Sequence, residues 1–154
     1  MAVIFRKPVG GPRIVPFGQP RTSSDYLQNG HPGFRVTTRF ADWDAIFHKP
    51  HLALDLANYY CGDRVVAMDD GIVSLISDPN GALGVRVSHS NGYKTEYWHL
   101  MRRVVKHGQR VSEGALLGYV GKTGLNVNGC HLHLKVLDPQ NRPVDPWPLM
   151  RTGN

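Results

Sequence analysis

Two short segments of the chain carry histidine and aspartate at spacings that suit a metal ion. His51 and Asp55 lie four positions apart in the first half of the sequence, and His131 and His133 lie two positions apart near its end. On a β-strand, side chains at i and i+2 or i+4 project from the same face, so each pair could point in one direction. Two histidines and one carboxylate leave the fourth position of a tetrahedral zinc open, as hydrolytic sites require. These residues predict a metallohydrolase, with four candidate groups for three ligand positions.

The histidine pair is a stronger signal than the isolated histidines. Two imidazoles on a strand that also carries Leu132 and Leu134 pack poorly unless each has a polar partner, and a metal ion is one such partner. A lone histidine is most often solvated or hydrogen-bonded. We place four others in that class: His31, His48, His89 and His107.

The elements that would position these groups are short strands. The 17 glycines and 11 prolines are spread along 154 residues and predict frequent turns, which disfavours a helical bundle. Residues 78–81 and 91–92 predict hairpin turns. We expect residues 64–68 to form a hairpin with residues 72–77, and residues 42–47 to form a short helical turn. The fold class that follows is all-β, with an antiparallel series of strands.

Length and composition indicate one globular domain. With 41% hydrophobic and 19% charged residues, the chain resembles ordinary globular proteins rather than disordered ones. A chain of 154 residues can bury a hydrophobic core without stabilisation by disulfides or metal ions. Residues 1–35 are rich in proline, glycine and polar residues. We expect them to be an irregular N-terminal leader packed on a domain formed by residues 36–154.

The charge is positive, at +6, and part of it is local. The basic stretch consists of Arg102, Arg103, Lys106 and Arg110. Such a stretch favours a polyanion, for example an anionic cell-wall polymer, although a solvated loop explains it equally well. We do not expect nucleic acid to be the partner, because there is no recognisable reading helix or RNA-binding aromatic motif.

The sequence also bears on location. The first apolar run has four residues, whereas a secretory signal needs about 7–15, and no stretch approaches the roughly 20 residues of a membrane span. We therefore expect cytoplasmic synthesis without an export signal. Cys61 and Cys130 are 69 positions apart and form no CxxC pattern. They are either one disulfide or two small buried side chains, and we do not expect Cys130 to be a metal ligand.

Seven segments together resemble lysostaphin-type (M23) zinc metallopeptidases, in the order found in that family and over about residues 40–148. The segments are residues 51–55, 70–73, 95–100, 108–111, 118–124, 131–134 and 144–146. The resemblance implies a β-sandwich or half-barrel with a substrate groove, the duplicated hybrid motif fold. It also implies Zn²⁺ held by His51, Asp55 and His133, with His99 and His131 flanking the metal-bound water as catalytic residues.

The same resemblance implies that the substrate is bacterial peptidoglycan, cut in a stem peptide or a cross-bridge. A wall-degrading enzyme without an export signal would reach the wall after phage-mediated release, or as a virion component beside phage tail proteins. The alternative is a non-catalytic module of the same fold that binds peptidoglycan or a partner, but all three ligands and both accessory histidines are present. The chain departs from the family at Ala53, where glycine is usual, and in residues 126–130, which bear on substrate preference.

Overall fold

The computed structural model describes residues 4–125 and 127–153, in which short β-strands and a single 3-10 turn (Trp147–Leu149) are the regular elements. The all-β expectation is confirmed. The strands are β1 (Phe5–Arg6), β2 (Arg35–Thr38), β3 (Trp43–Asp44), β4 (Lys49–Pro50), β5 (Leu54–Ala57), β6 (Arg64–Val66), β7 (Gly71–Ser77), β8 (Leu83–Ser88), β9 (Lys94–Trp98), β10 (Arg102–Arg103), β11 (Arg110–Val111), β12 (Leu116–Tyr119), β13 (Leu132–Leu137), β14 (Pro143–Val144) and β15 (Met150–Arg151).

The main sheet has the strand order β11-β7-β8-β9-β13-β5-β2, with β14 paired to β13, and all its pairs are antiparallel. A second sheet has the order β10-β12-β6. Alternation along β13 shows how the sequence builds this arrangement: Leu132, Leu134 and Val136 are fully buried, while His133 and Lys135 lie on the opposite, partly exposed face. Apolar residues of both sheets belong to one buried cluster, which is the core of the domain.

The hairpin turns at residues 78–81 and 91–92 are confirmed, because β7 pairs with β8 and β8 pairs with β9. The expected hairpin between residues 64–68 and 72–77 is wrong. β6 pairs with β12 in the second sheet, and β7 lies in the main sheet between β8 and β11. The turn between them therefore carries the chain from one sheet to the other, which local alternation cannot reveal.

The expected helical turn at residues 42–47 is also wrong. β3 and β4 form a two-stranded hairpin there. The side chain of Asp44 accepts hydrogen bonds from the backbone N–H groups of Ile46 (2.9 Å) and Phe47 (3.1 Å), and His48 has a positive φ of 54°. An aspartate that bonds to the backbone two and three residues later competes with helix formation and favours a turn.

The described part of the leader, residues 4–35, contributes to the core. Phe5, Val9 and Ile14 are at most 1% exposed, and β1 lies parallel to β15 near the end of the described chain. Arg13 donates to the buried Asp25, at 2.7 and 2.8 Å, and this ion pair holds the pKa of that carboxyl below its usual range.

The boundary between leader and domain at residue 35 stays a prediction. Residues 1–3 and 154 of the predicted segments, and Asn126 of the loop at 126–130, lie outside the described residues.

Candidate metal centre

Five polar side chains meet where three neighbouring strands of the main sheet lie side by side. β13 is the central strand, and its residue His133 is directly opposite Asp55 of β5 on one side and Trp98 of β9 on the other. His99 follows the end of β9, and His131 immediately precedes β13. The antiparallel register therefore brings together residues that are up to about eighty positions apart in the chain.

His51 reaches the same place by a different route from the one its spacing suggested. It is not on a strand with Asp55, because it lies between β4 and β5, and the strand begins only at Leu54. The bend through Ala53, which is fully buried, still brings His51 Nε2 to 3.2 Å from Asp55 Oδ2. The side chains were correctly expected to point together, but the single-strand reason was wrong.

Asp55 is the centre of the charge interactions in the cluster. Its side chain is 14% exposed, and its Oδ1 lies 3.0 Å from His133 Nδ1 and 3.8 Å from His131 Nε2. Burial raises the pKa of this carboxyl, but hydrogen bonds from His133 and His51 outweigh that effect and hold the pKa well below its usual range. The group is therefore an ionised oxygen donor at neutral pH.

Two overlapping sets of donors in the described residues could hold a metal ion: His51, Asp55 and His133, and His99, His131 and His133. Within each set the donor atoms lie within 4.8 Å of one another. Imidazole nitrogens combined with a carboxylate oxygen are a donor set that zinc accepts, so the residues present fit the expected ion. The first set contains the three ligands that the family resemblance implies, and the second adds both accessory histidines.

The backbone selects the tautomer of the two accessory histidines. His99 Nδ1 lies 2.6 Å from the carbonyl oxygen of Thr123, and His131 Nδ1 lies 3.0 Å from that of Gly129. A carbonyl oxygen only accepts, so each Nδ1 carries the proton and donates it, and each Nε2 keeps a lone pair for the cluster. His51 is oriented in the same way, since its Nδ1 donates to the carbonyl of Arg39 at 3.2 Å.

His99 is held in an uncommon conformation. Its φ is 69°, in the left-handed region that a residue with a side chain rarely adopts. Burial lowers the pKa of His99, and the neighbouring His131 and His133 lower it further. The imidazole is accordingly neutral at pH 7 and can accept a proton.

Sequence reasoning missed the residues that orient these imidazoles. Thr123 is the main example: its carbonyl accepts from His99, its hydroxyl donates to the carbonyl of Leu100 at 2.9 Å, and the same hydroxyl accepts from the N–H of Leu83 at 3.1 Å. Its presence in the family-like segment 118–124 was the available signal. Every residue has a backbone carbonyl, so the sequence does not show which carbonyl orients a histidine.

An open cleft of about 730 Å³ is lined by four of the five side chains, His51, Asp55, His131 and His133. Side chains of the β3–β4 hairpin line one wall, and Trp43 and Phe47 among them are 65% and 51% exposed. Cys130 also lines the cleft and forms a disulfide with Cys61. This pairing decides between the two alternatives that the cysteine spacing left open, and a disulfide-bonded sulfur is no thiolate ligand.

Three of the other four histidines, His31, His89 and His107, have ordinary hydrogen-bond partners. His31 lies 2.9 Å from the carboxylate of Asp63, and His107 Nδ1 accepts from the N–H of Leu75 at 3.1 Å. His89 is bonded through both ring nitrogens, which is described below. In the part of the chain that the structure describes, these histidines join no group of three possible metal ligands.

One residue of the basic stretch, Arg103, is engaged by hydrogen bonds within the fold. Arg103 donates to the carbonyls of Ile76 (3.0 Å) and Gly84 (3.1 Å), and the guanidinium of Arg102 lies 5.1 Å from the ring centre of Tyr119. Arg102, Lys106 and Arg110 are exposed. A polyanionic partner stays a prediction. Within residues 4–125 and 127–153, no helix is long and apolar enough to cross a lipid bilayer.

Comparison with known proteins agrees with this arrangement. Residues 49–146 match the model of peptidase family M23. The peptidoglycan DD-endopeptidase ShyC of Vibrio cholerae is 45% identical over 78 residues, which are 49% of this chain and 18% of ShyC. A zinc-containing peptidase from Vibrio cholerae has a similar structure, with a TM-score of 0.64 and 27% identity over 90% of this chain and 39% of that one.

The catalytic domain of lysostaphin from Staphylococcus simulans has the same fold, with a TM-score of 0.66, 23% identity, and coverage of 75% of this chain and 90% of that domain. The fold and the His/Asp cluster thus define a metallopeptidase-type domain. The chain belongs to peptidase family M23. It spans less than a fifth of the length of ShyC.

Proposed function

We propose that this domain is a zinc-dependent endopeptidase that hydrolyses peptide bonds in bacterial peptidoglycan. The observation that carries the proposal is the convergence of three ligand candidates and two oriented accessory histidines beside an open cleft, which four of these five residues line. The 45% identity to a protein named as a peptidoglycan DD-endopeptidase supports the substrate class. A non-catalytic module of the same fold is not favoured, because such a module needs neither the three ligand candidates nor the two accessory histidines.

His51, Asp55 and His133 would hold the ion. This set includes an ionised carboxylate, which offsets part of the charge of a divalent cation, whereas the alternative set is three imidazoles. The carbonyl of Arg39 fixes the ring of His51, as an outer partner of a metal-ligating histidine does. When bound there, zinc polarises the scissile carbonyl and makes water more acidic.

His99 and His131 would do the proton chemistry. Each has its Nδ1 proton bonded to a backbone carbonyl, so that Nε2 can accept a proton from the attacking water. The ring centres lie 4.9 Å apart, which lets one imidazole act as base while the other, once protonated, stabilises the developing oxyanion. The cleft is open to solvent, as the hydrolysis of a polymer requires.

Digestion of defined peptidoglycans by the purified protein tests the proposal. We expect new muropeptide fragments, identified by mass, that disappear when zinc is removed with a chelator and return when zinc is added back. Fragments that persist in zinc-free protein would refute the metal assignment. Binding without cleavage of any peptidoglycan would support the non-catalytic alternative. Delivery by phage release or in a virion, and any phage tail partner, stay predictions that this experiment does not address.

A further inference from the structure

The disulfide lies next to the reaction centre. Cys130 immediately precedes His131 and lines the same cleft. Its partner, Cys61, lies in the connection between β5 and β6, 69 positions earlier, and the two Cα atoms are 5.2 Å apart. The bond therefore ties the segment that leads into His131 to a distant part of the chain.

His131 needs such a restraint more than its neighbour does. His133 lies within β13 and is paired on both sides, with Asp55 and with Trp98. His131 lies one residue before β13, where an isolated bridge to Gly121 replaces the ladder. Its ring is oriented by the carbonyl of Gly129, so its direction depends on where the preceding segment lies.

The other end of the disulfide is firmly anchored. The N–H of Gly62 donates to the carbonyl of Val120 at 2.8 Å, and the N–H of Val120 donates to the carbonyl of Asp63 at 2.8 Å. The amide of Asn58 also donates to the carboxylate of Asp63, at 2.8 Å, inside the protein. Val120 in turn precedes Gly121, the bridge partner of His131. The Cys61 side is thus part of the frame to which the His131 segment is attached.

We propose that the Cys61–Cys130 disulfide is a positioning device for His131 and that its reduction lowers turnover while the metal stays bound. The inference rests on the proposed function. Reduction frees residues 127–130, and with them the Gly129 carbonyl that orients His131. The bonds around His51, Asp55 and His133 do not involve this segment. The effect is therefore on proton chemistry, since the ligands keep their places.

The chemistry is ordinary thiol–disulfide exchange. Cys61 is exposed, whereas Cys130 is 9% exposed, so a thiolate of a dithiol reductant attacks the sulfur of Cys61 and Cys130 leaves as the thiolate. The second thiol of the reductant then releases Cys61. The protein gains two electrons and two protons as two thiols, and the reductant becomes a disulfide. Turnover is consequently low in a compartment that keeps thiols reduced and full in an oxidising one.

The test compares the zinc-loaded wild type with the double variant Cys61→Ser/Cys130→Ser. On the muropeptide that the wild type cleaves, we expect kcat of the variant to fall by about 10- to 100-fold, with KM and zinc content unchanged. The dithiol reductant dithiothreitol should lower kcat of the wild type to the level of the variant, and reoxidation should restore it. The variant itself should not respond to the reductant, which controls for loss of zinc to the reagent. An unchanged kcat in the variant, or loss of zinc from it, overturns the proposal.

A second measurement keeps the inference separate from the proposed function. The imidazole resonances of His131 in the zinc-loaded protein should shift and broaden on reduction, while those of His51 and His133 stay in place. A protein that cleaves no peptidoglycan but shows this response refutes the proposed function and supports the positioning role. His131 resonances that do not respond to reduction overturn the positioning role whatever the activity is. Thermal melting of both proteins establishes that the domain is folded under each condition.

Discussion

Strand β9 has a histidine near each end, and the two differ in what their rings contact. Before its start, His89 is 6% exposed and is bonded through both nitrogens, from Nδ1 to the carbonyl of Asp70 at 2.7 Å and from Nε2 to the hydroxyl of Thr95 at 2.9 Å. After its end, His99 has Nδ1 bonded to the carbonyl of Thr123, and its Nε2 is left for the metal-binding cluster. Burial lowers the pKa of both.

The comparison teaches that burial and the direction of a pKa do not identify a reactive histidine. The His89 ring has both nitrogens bonded away from the cluster and contributes to stability, whereas the His99 ring has one nitrogen fixed by a carbonyl and the other directed to the cluster, so it is oriented for chemistry. The same pattern separates His89 from His131, whose Nδ1 alone is bonded to a backbone carbonyl. Substitutions at the two ends of β9 and around the cluster test this distinction.

The largest effect is expected when a ligand of the cluster is removed. His133→Ala should reduce bound zinc from about one ion per chain to near zero and activity by more than about 1000-fold, because two donors do not hold the ion and the Lewis acid is lost. Metal analysis after dialysis and muropeptide assays measure both. Lys135→Ala, two residues along the same face of β13, is the matched control and should keep its zinc. Stoichiometric zinc in His133→Ala would refute the ligand assignment.

The next effect concerns the accessory histidines. His99→Ala and His131→Ala should each lower kcat by about 100- to 10,000-fold, because a positioned proton acceptor is removed, while the zinc content stays near one. Steady-state kinetics paired with metal analysis separate these variants from His133→Ala. Hydrolysis at the wild-type rate in either variant would contradict its assigned role.

A smaller effect is expected from the residue that orients His99. Thr123→Val removes the hydroxyl that joins Thr123 to Leu100 and Leu83, so the carbonyl that accepts from His99 is less firmly placed. We expect kcat to fall by about tenfold with zinc retained. Thr123→Ser keeps the hydroxyl and is the control, which should remain close to wild type. Equal kinetics in the Val and Ser variants would show that the hydroxyl does not orient His99.

The smallest effect is expected on stability, from substitution of His89, which lies before the start of β9. Burial lowers the pKa of His89 in the folded state, so the unfolded chain binds more protons in acid. The stabilisation by His89 is therefore complete above the unfolded pKa of about 6.5 and declines as the pH falls below it. His89→Gln should lower the free energy of unfolding by about 1–2 kcal/mol at neutral pH, through lost hydrogen bonds.

Urea unfolding of the zinc-free proteins at several pH values between 8 and 5 measures this effect. The difference between wild type and His89→Gln should shrink toward acidic pH, because the wild type alone must keep His89 neutral. The pKa of His99 is also lowered, whereas the contact with Asp55 raises the pKa of His51 even though His51 is partly buried. Only the difference in unfolding free energy between the two proteins therefore isolates the contribution of His89. A difference that is constant with pH would show that His89 is not buried as a neutral ring. Activity should be unaffected at neutral pH, in contrast to His99→Ala.

The sequence predicted much of the fold class and the family, because both depend on local information. Alternation of apolar residues and frequent turn residues are read within a few positions, and they correctly indicated short antiparallel strands and the two hairpins around β8. One failure was local and the other was not. Asp44 turned an expected helical turn into a hairpin, whereas β6 joined a different sheet from β7 through long-range pairing with β12. The candidate residues were found through motif spacing and family resemblance, and their roles stay predictions.

By itself, then, the sequence determined the residue types that could do chemistry, the strand propensity around them and the membership of peptidase family M23. Tertiary structure alone decided which groups meet. Pairing of β13 with β5 and β9 places His133 between Asp55 and Trp98, although Asp55 is 78 positions away, and such pairing has no local signal. It also decided that Cys61 and Cys130 bond, and that carbonyls of Thr123 and Gly129 select the histidine tautomers. Every residue type has the same backbone carbonyl, so only its position in space gives it a role.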